Sequence, residues 1–294
     1  LLPIVGPHIP GEQVSDTPED MARRLDEAIA AAEDPAQKRK ALNQFKDQET
    51  FLIDLDHVLG ERDDFRTFAE RLTGLAELVV DRAVKLVYDN LSEDYGQPRT
   101  EDGEHANYAV FGLGKLGGVA LGYASDIELL FVYDHGGKTD GGQQIENANF
   151  FDRLVSEVVK YIEAKREGIF RVDLRLRPYG KNGPLASSEE MFEKYYAPDG
   201  EAHSMERLAL VRMRALAGDE SLGRRIEQLR DQYLYETTDV LDLAELREVR
   251  QKQFDEKRQG DRPNAKYSPG ALVDLEYAVQ ILQVRNAHRS EALR

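Results

Sequence analysis

Apolar residues recur at helical steps through the first third of the chain. Met21, Leu25, Ile29 and Ala30 share one face, as do Phe51, Leu52, Leu55, Val58 and Leu59. Phe68, Leu72, Leu75, Leu78, Val79 and Val84 continue the pattern to about Ser92. Asp16-Thr17-Pro18-Glu19 marks the helical start, a capping residue followed by proline at the first helical position. The Pro/Gly-punctuated residues 1–15 read as an extended arm, and EDYGQPRTEDGEH, residues 93–105, as a polar linker.

After the linker the period changes. Tyr108–Leu113 and Asp126–Tyr133 read as buried strands, and Phe170–Arg177 as a third, stopped by Pro178. A helix is predicted over about Ile145–Lys165, and further helices over Ser188–Tyr196, Glu201–Ala217, Leu222–Tyr235, Leu241–Gln259 and Ala271–Val284. The fold class that follows is α+β and predominantly helical, a small mixed sheet with flanking helices and a C-terminal helical block. Three regions are expected: an arm and helical lead-in over 1–92, a core over 93–198 and a helical region over 199–294.

Composition narrows the function classes. No apolar run approaches membrane-spanning length, and there is no cysteine for a disulfide, a thiolate metal site or a cysteine nucleophile. A formal net charge of −16 argues against non-specific binding to nucleic acid or an anionic membrane, which needs a basic surface. A bound nucleotide would need a local positive cluster or metal ions. A cytoplasmic location fits, and the missing initiator Met suggests part of a longer chain.

Three short patterns carry candidate chemistry. In Asp126-Ile127-Glu128 the two carboxylates stand at i and i+2 of a strand, so they project from one face about 6.6 Å apart. Such a pair can share divalent cations, or can be an ordinary polar strand edge. In FRVDLRLRP, Val172, Leu174 and Leu176 alternate with Arg171, Asp173, Arg175 and Arg177. Beside the first pair, Asp173 would supply a third ligand or a base, with arginines lowering its pKa and holding phosphate oxygens. A solvated, charge-balancing face is the other reading. Gly112, Gly114 and Gly117 match G-x-G-x-x-G with Asp134 as the following acid, but the ten residues between Lys115 and Asp126 leave too little chain for a crossover helix. A short turn and helix whose N–H groups meet a triphosphate is the alternative.

Together these stretches resemble the DNA polymerase beta nucleotidyltransferase superfamily. More closely, GLGKLGGVALGYASDIELLFVYD is similar to the nucleotidyltransferase domain of the glutamine synthetase adenylyltransferase family, bifunctional adenylylating and adenylyl-removing enzymes. ETFLIDLDHVLG, VDLRLRPYGKNGPL, YYAPDGEAHSMERLALVRMR and PGALVDLEYAVQ extend the likeness from about residue 40 to the C-terminus. The resemblance implies two Mg²⁺ ions held by Asp126, Glu128 and Asp173. It implies a triphosphate-facing turn of Gly114, Lys115, Gly117, Gly118 and Ser125, with Arg175, Arg177 and Lys181 as phosphate or acceptor contacts. Its substrates would be ATP, or phosphate with release of ADP in the removing direction, its partner glutamine synthetase, and its regulator the nitrogen-regulatory PII signal protein.

The chain departs from the family pattern at Glu128, where the family writes Asp, at Met205, where it has Trp, and at Gly270-Ala271, where it has a glycine pair. The longer Glu128 side chain shifts ligand geometry, and with it rate or metal preference. Only one nucleotidyltransferase domain is present, where the family's full-length enzymes carry two; YY-x(8)-MER-x-AL and RPYGKNGPL lean towards the adenylyl-removing half. The alternatives are transfer to another protein acceptor and a non-catalytic nucleotide-sensing module.

Overall fold

The computed structural model describes residues 17–59, 64–123, 125–164, 170–237, 239–258 and 262–293. The expected arm over 1–15 lies outside them. Thr17 caps α1 (Pro18–Ala30), its hydroxyl accepting from the Asp20 N–H, with Pro18 in the first turn. Next come α2 (Pro35–Leu59) and α3 (Phe65–Tyr95), the latter running without a break into the expected linker and closing at Gly96. A small ribbon pairs β1 (Pro98–Arg99) with β4 (Lys138–Thr139).

The main sheet is built on β2 (Tyr108–Gly112) and β3 (Ile127–Tyr133), joined by the four-residue helix α4 (Gly114–Gly117). β2 pairs antiparallel with β3 on one side and with β7 (Arg214–Gly218) on the other. The far edge of β3 is shared: β5 (Val172–Asp173) runs parallel along its start and β6 (Ala186–Ser188) parallel along its end. The sheet is therefore mixed. Its remaining helices are α5 (Asn147–Tyr161), α6 (Glu189–Tyr196), α7 (Ser204–Ala209), α8 (Glu220–Tyr235), α9 (Leu243–Lys257) and α10 (Leu272–Asn286).

Strand alternation divides the core into two layers. Val110, Leu129, Phe131 and Tyr133 pack with α1, α2, α3 and α5. Ala109, Phe111, Leu130 and Val132 face the opposite way, onto α6, α7, α8 and the start of α9. Asp126 and Glu128 are in step with Leu130 and Val132, so they look towards the C-terminal block. Among the described residues no helix is long and apolar enough to cross a membrane.

Three expected elements differ. The helix over Glu201–Ala217 is instead α7, a 3-10 turn (Leu210–Arg212) and the edge strand β7. Pairing with the open edge of β2 outweighs the local helical spacing, and it lets Arg214 reach the carbonyls of Leu116 and Gly117 and the carboxylate of Glu77. The strand over Phe170–Arg177 shortens to two residues because Asp173 Oδ1 accepts the Arg175 N–H at 2.9 Å, an Asx turn that bends the chain away. The helix expected over Ile145–Lys165 is confined to Asn147–Tyr161, and its last expected residue falls outside the described ones.

Candidate active site

β3 and β5 place the acids. In their parallel register Glu128 lies directly opposite Asp173, and Ile127 opposite Val172. Neighbouring strands stand about 4.8 Å apart, so Glu128 and Asp173 are side-by-side neighbours on one face, with Asp126 one step back along β3. The intervening Ile127 is buried in the opposite layer. The strand-edge pair and the arginine-rich motif therefore form one acidic row.

Each flanking acid has its own arginine. Asp126 receives two bonds from Arg171, at 2.8 and 3.1 Å, and Asp173 is clasped by Arg175 through Nε at 2.8 Å. Burial alone would push the Asp173 carboxyl up, but bonds from the Arg175 guanidinium and N–H hold it below its ordinary range. Glu128 behaves oppositely. Burial raises its pKa, and the charges of Asp173 and Asp126 raise it further, against smaller opposing effects of Arg175 and Lys266. Among the described residues no three acids or histidines already converge on a metal-binding point. Arg171 and Arg175 draw Asp126 and Asp173 into separate pairs on either side of Glu128. The donor set still fits a hard divalent cation: it is all carboxylate oxygen, crowded by like charge around a half-buried Glu128.

The glycine turn closes on that row. Gly114 takes a left-handed φ of +52°, and a Cβ there would collide with the Glu128 carboxylate. A Cβ at Gly117 would meet the Arg212 carbonyl. Leu113 N–H donates to the Glu128 carbonyl at 2.9 Å, which fixes the turn to β3. Gly118 lies exposed against Arg212, and Lys115 is exposed on the outside of the turn. Ser125 is buried, its hydroxyl accepting the Gly122 N–H at 3.0 Å, so it shapes the approach to Asp126.

Other predicted contacts separate. Arg177 turns inward and donates to the carbonyls of Leu174, Pro184 and Gly183, at 2.6, 2.8 and 3.4 Å. Burial lowers its pKa, and it braces the turn after β5 rather than standing with the acids. Lys181 sits exposed on the 3-10 turn Gly180–Asn182. Asp134, the acid of the rejected dinucleotide pattern, accepts from the backbone and side chain of Asn107 at 2.8 and 2.9 Å. A cleft of about 340 Å³ opens beside Asp173, bordered by Arg171, Arg175, Val159 and Leu174.

Sequence reasoning took PGALVDLEYAVQ into the family likeness but missed the loop before it. Arg250 binds Asp274 and the carbonyls of Tyr267 and Ser268, and Asp274 also accepts the Gly270 N–H at 2.6 Å. This holds the loop before α10 in place, and from it the charge of Lys266 reaches Glu128. Glu276 on α10 pairs at 3.1 Å with Arg212, the residue packed against Gly118. Lys266 carried no signal, since a lone lysine in a polar loop resembles any other.

Comparison with known proteins shows the family. The profile of the glutamate-ammonia ligase adenylyltransferase family matches residues 11–229. The chain belongs to that family. It is 32% identical over 280 residues to the bifunctional glutamine synthetase adenylyltransferase/adenylyl-removing enzyme of Thioalkalivibrio sulfidiphilus, covering 93% of this chain and 28% of that protein. The enzyme of the same name from Methylococcus capsulatus is 32% identical over 273 residues, covering 92% and 28%. That of Burkholderia mallei is 33% identical over 280 residues, covering 89% and 30%. The chain thus spans less than a third of the length of these relatives.

Proposed function

We propose that this member of the family is a Mg²⁺-dependent nucleotidyltransferase unit that moves AMP onto, or by phosphorolysis off, a tyrosine of glutamine synthetase. The observation that supports it most is the register placing Glu128 opposite Asp173, with Asp126 on the same face. These residues would hold the cation, which when bound supplies charge neutralisation at the α-phosphate and polarises the attacking and leaving oxygens.

The chain's own groups do the rest. Arg175 keeps Asp173 ionised, which suits a ligand better than the base that the FRVDLRLRP pattern also allowed. Gly114 lets the backbone of the turn approach the acids, and exposed Lys115, Arg171 and Arg175 offer positive charge for phosphate oxygens. In the forward direction the tyrosyl oxygen bonds to the α-phosphorus of ATP, pyrophosphate leaves and the phenolic proton is released. In reverse, phosphate attacks the same phosphorus, freeing the tyrosine and releasing ADP.

The lean towards removal rests on sequence likeness in RPYGKNGPL and the MER stretch. In both stretches the arginines, Arg177 and Arg207, are internal braces that donate to backbone carbonyls. Regulation by the PII signal protein belongs to the same proposal and is carried by the resemblance. The test is to incubate the chain and glutamine synthetase with Mg·ATP, and adenylylated glutamine synthetase with Mg²⁺ and phosphate, reading AMP gain or loss by intact mass. One direction should proceed, and Asp126→Asn should slow it by about 10³-fold or more while leaving the fold intact. Full activity in that variant would sink the metal assignment. Mg·ATP binding with neither reaction would replace the proposal with a nucleotide sensor, and transfer to a different protein would change the acceptor.

A further inference from the structure

The stretch ETFLIDLDHVL, on α2, is not accounted for by the acidic row. A polar stripe runs along α2 through Asn43, Lys46, Thr50, Asp54 and His57, spaced as one helical face. Its first members brace the end of α5, where the chain leaves towards β5. Asn43 donates to the Tyr161 carbonyl at 2.8 Å and accepts the Glu163 N–H at 2.8 Å. Lys46, 2% exposed, donates to the Glu163 carbonyl and lies over the Phe170 ring at 5.4 Å. Thr50 donates to the Lys46 carbonyl, and His57 stacks on Phe68 and packs beside Tyr123.

Asp54 is the exception in this stripe. Its Oδ1 is buried and has no hydrogen-bond partner among the described residues. Such an oxygen is costly to leave unbonded, by about 1–3 kcal/mol. Asp54 borders a small cavity of about 10 Å³, together with Thr50, Tyr123, Ser125, Ile127 and Phe170. That volume is about what one water occupies. Ser125 borders the same cavity, and its hydroxyl oxygen accepts the Gly122 N–H, which leaves its own proton to donate. A residue with a buried, unbonded acceptor and one with a hydroxyl proton to donate thus border one water-sized space, just before Asp126.

We propose that Asp54 is a positioning residue for Asp126: bonded to the Ser125 hydroxyl through one water, it fixes Ser125 and, through the Gly122 N–H, the approach to Asp126. With the bracing at α5, α2 then supports the approaches to both acid-bearing strands. Its effect on turnover rests on the nucleotidyltransferase reading above; its effect on the approach to Asp126 does not.

The experiment is hydrogen exchange by mass spectrometry on the full chain, comparing a peptide over residues 121–127 with one from α3, in D54A, D54N, S125A and the D54A/S125A double variant. D54A and S125A should each speed exchange in the segment about tenfold, the value of roughly one hydrogen bond, and the double variant no further. D54N, whose amide oxygen still accepts, should stay within about twofold of the wild type. Where the wild type turns over, D54A should lower kcat about tenfold with KM for ATP within about twofold. Unchanged exchange in D54A, multiplying effects in the double variant, D54N as fast as D54A, or a wild-type kcat in D54A each overturn the proposal. D54N guards against simple misfolding. An inert wild type would count against the function above while exchange still decides the role of Asp54.

Discussion

Four arginines of two neighbouring motifs divide into two environments. Arg171 and Arg175 are exposed, each bound to a carboxylate of the acidic row, and those carboxylates raise their pKa values. Arg177 and Arg207 are buried and spend their donors on backbone carbonyls; burial lowers their pKa values. Arg207 alone takes the carbonyls of Tyr196, Ala197, Gly200 and Ala202. The same residue type thus tunes charge at one place and replaces missing backbone partners at another. In FRVDLRLRP the change occurs within two residues, between Arg175 and Arg177, because the Asx turn at Asp173 swings the chain inward.

The comparison can be broken at the scaffold side first. Arg207→Leu strands several buried carbonyls, so chemical denaturation should show a loss of about 3 kcal/mol, with activity per folded molecule nearly unchanged. A selective loss of activity with full stability would move Arg207 into the site. Next is the boundary between turn and acids. Gly114→Ala puts a methyl into the Glu128 carboxylate at a φ of +52°, and steady-state kinetics should show kcat down by about 100-fold. Unchanged kinetics would mean that turn and row do not act together.

The smallest effect sharpens the outward side. Arg175→Met removes the guanidinium that helps hold Asp173 low, leaving only the backbone N–H and Arg171 against burial, so its pKa rises. Asp173 must be ionised to bind a cation, so the acid limb of kcat/KM should move to higher pH, with the plateau reduced by less than about tenfold. A limb that stays in place would detach Asp173 from the essential ionisation.

Much of this was legible where a residue's neighbours in sequence are also its neighbours in space. The lead-in helices carry amphipathic spacing and a proline-marked start, and Asp126 with Glu128 needed only strand alternation to share a face. The register of β3 against β5 was not in the sequence, but FRVDLRLRP had few other places to go. What stayed hidden depends on distant partners. β7 reads locally as helix and becomes strand because β2 has a free edge. Arg177 looks like its neighbours until the turn aims it at Leu174 and Pro184. Lys266 reaches the site only because Arg250 and Asp274 fold its loop.

The central claim is that Asp126, Glu128 and Asp173 form one cation-binding row, distinct from the arginine-braced turn beside it. Titration of Mn²⁺ by electron paramagnetic resonance, in the presence of a non-transferable ATP analogue, tests it directly. Binding to Asp126→Asn should weaken by about 100-fold, while Arg177→Met, measured on its folded fraction, should bind as the wild type does. Equal Mn²⁺ affinity in Asp126→Asn and the wild type would contradict the account.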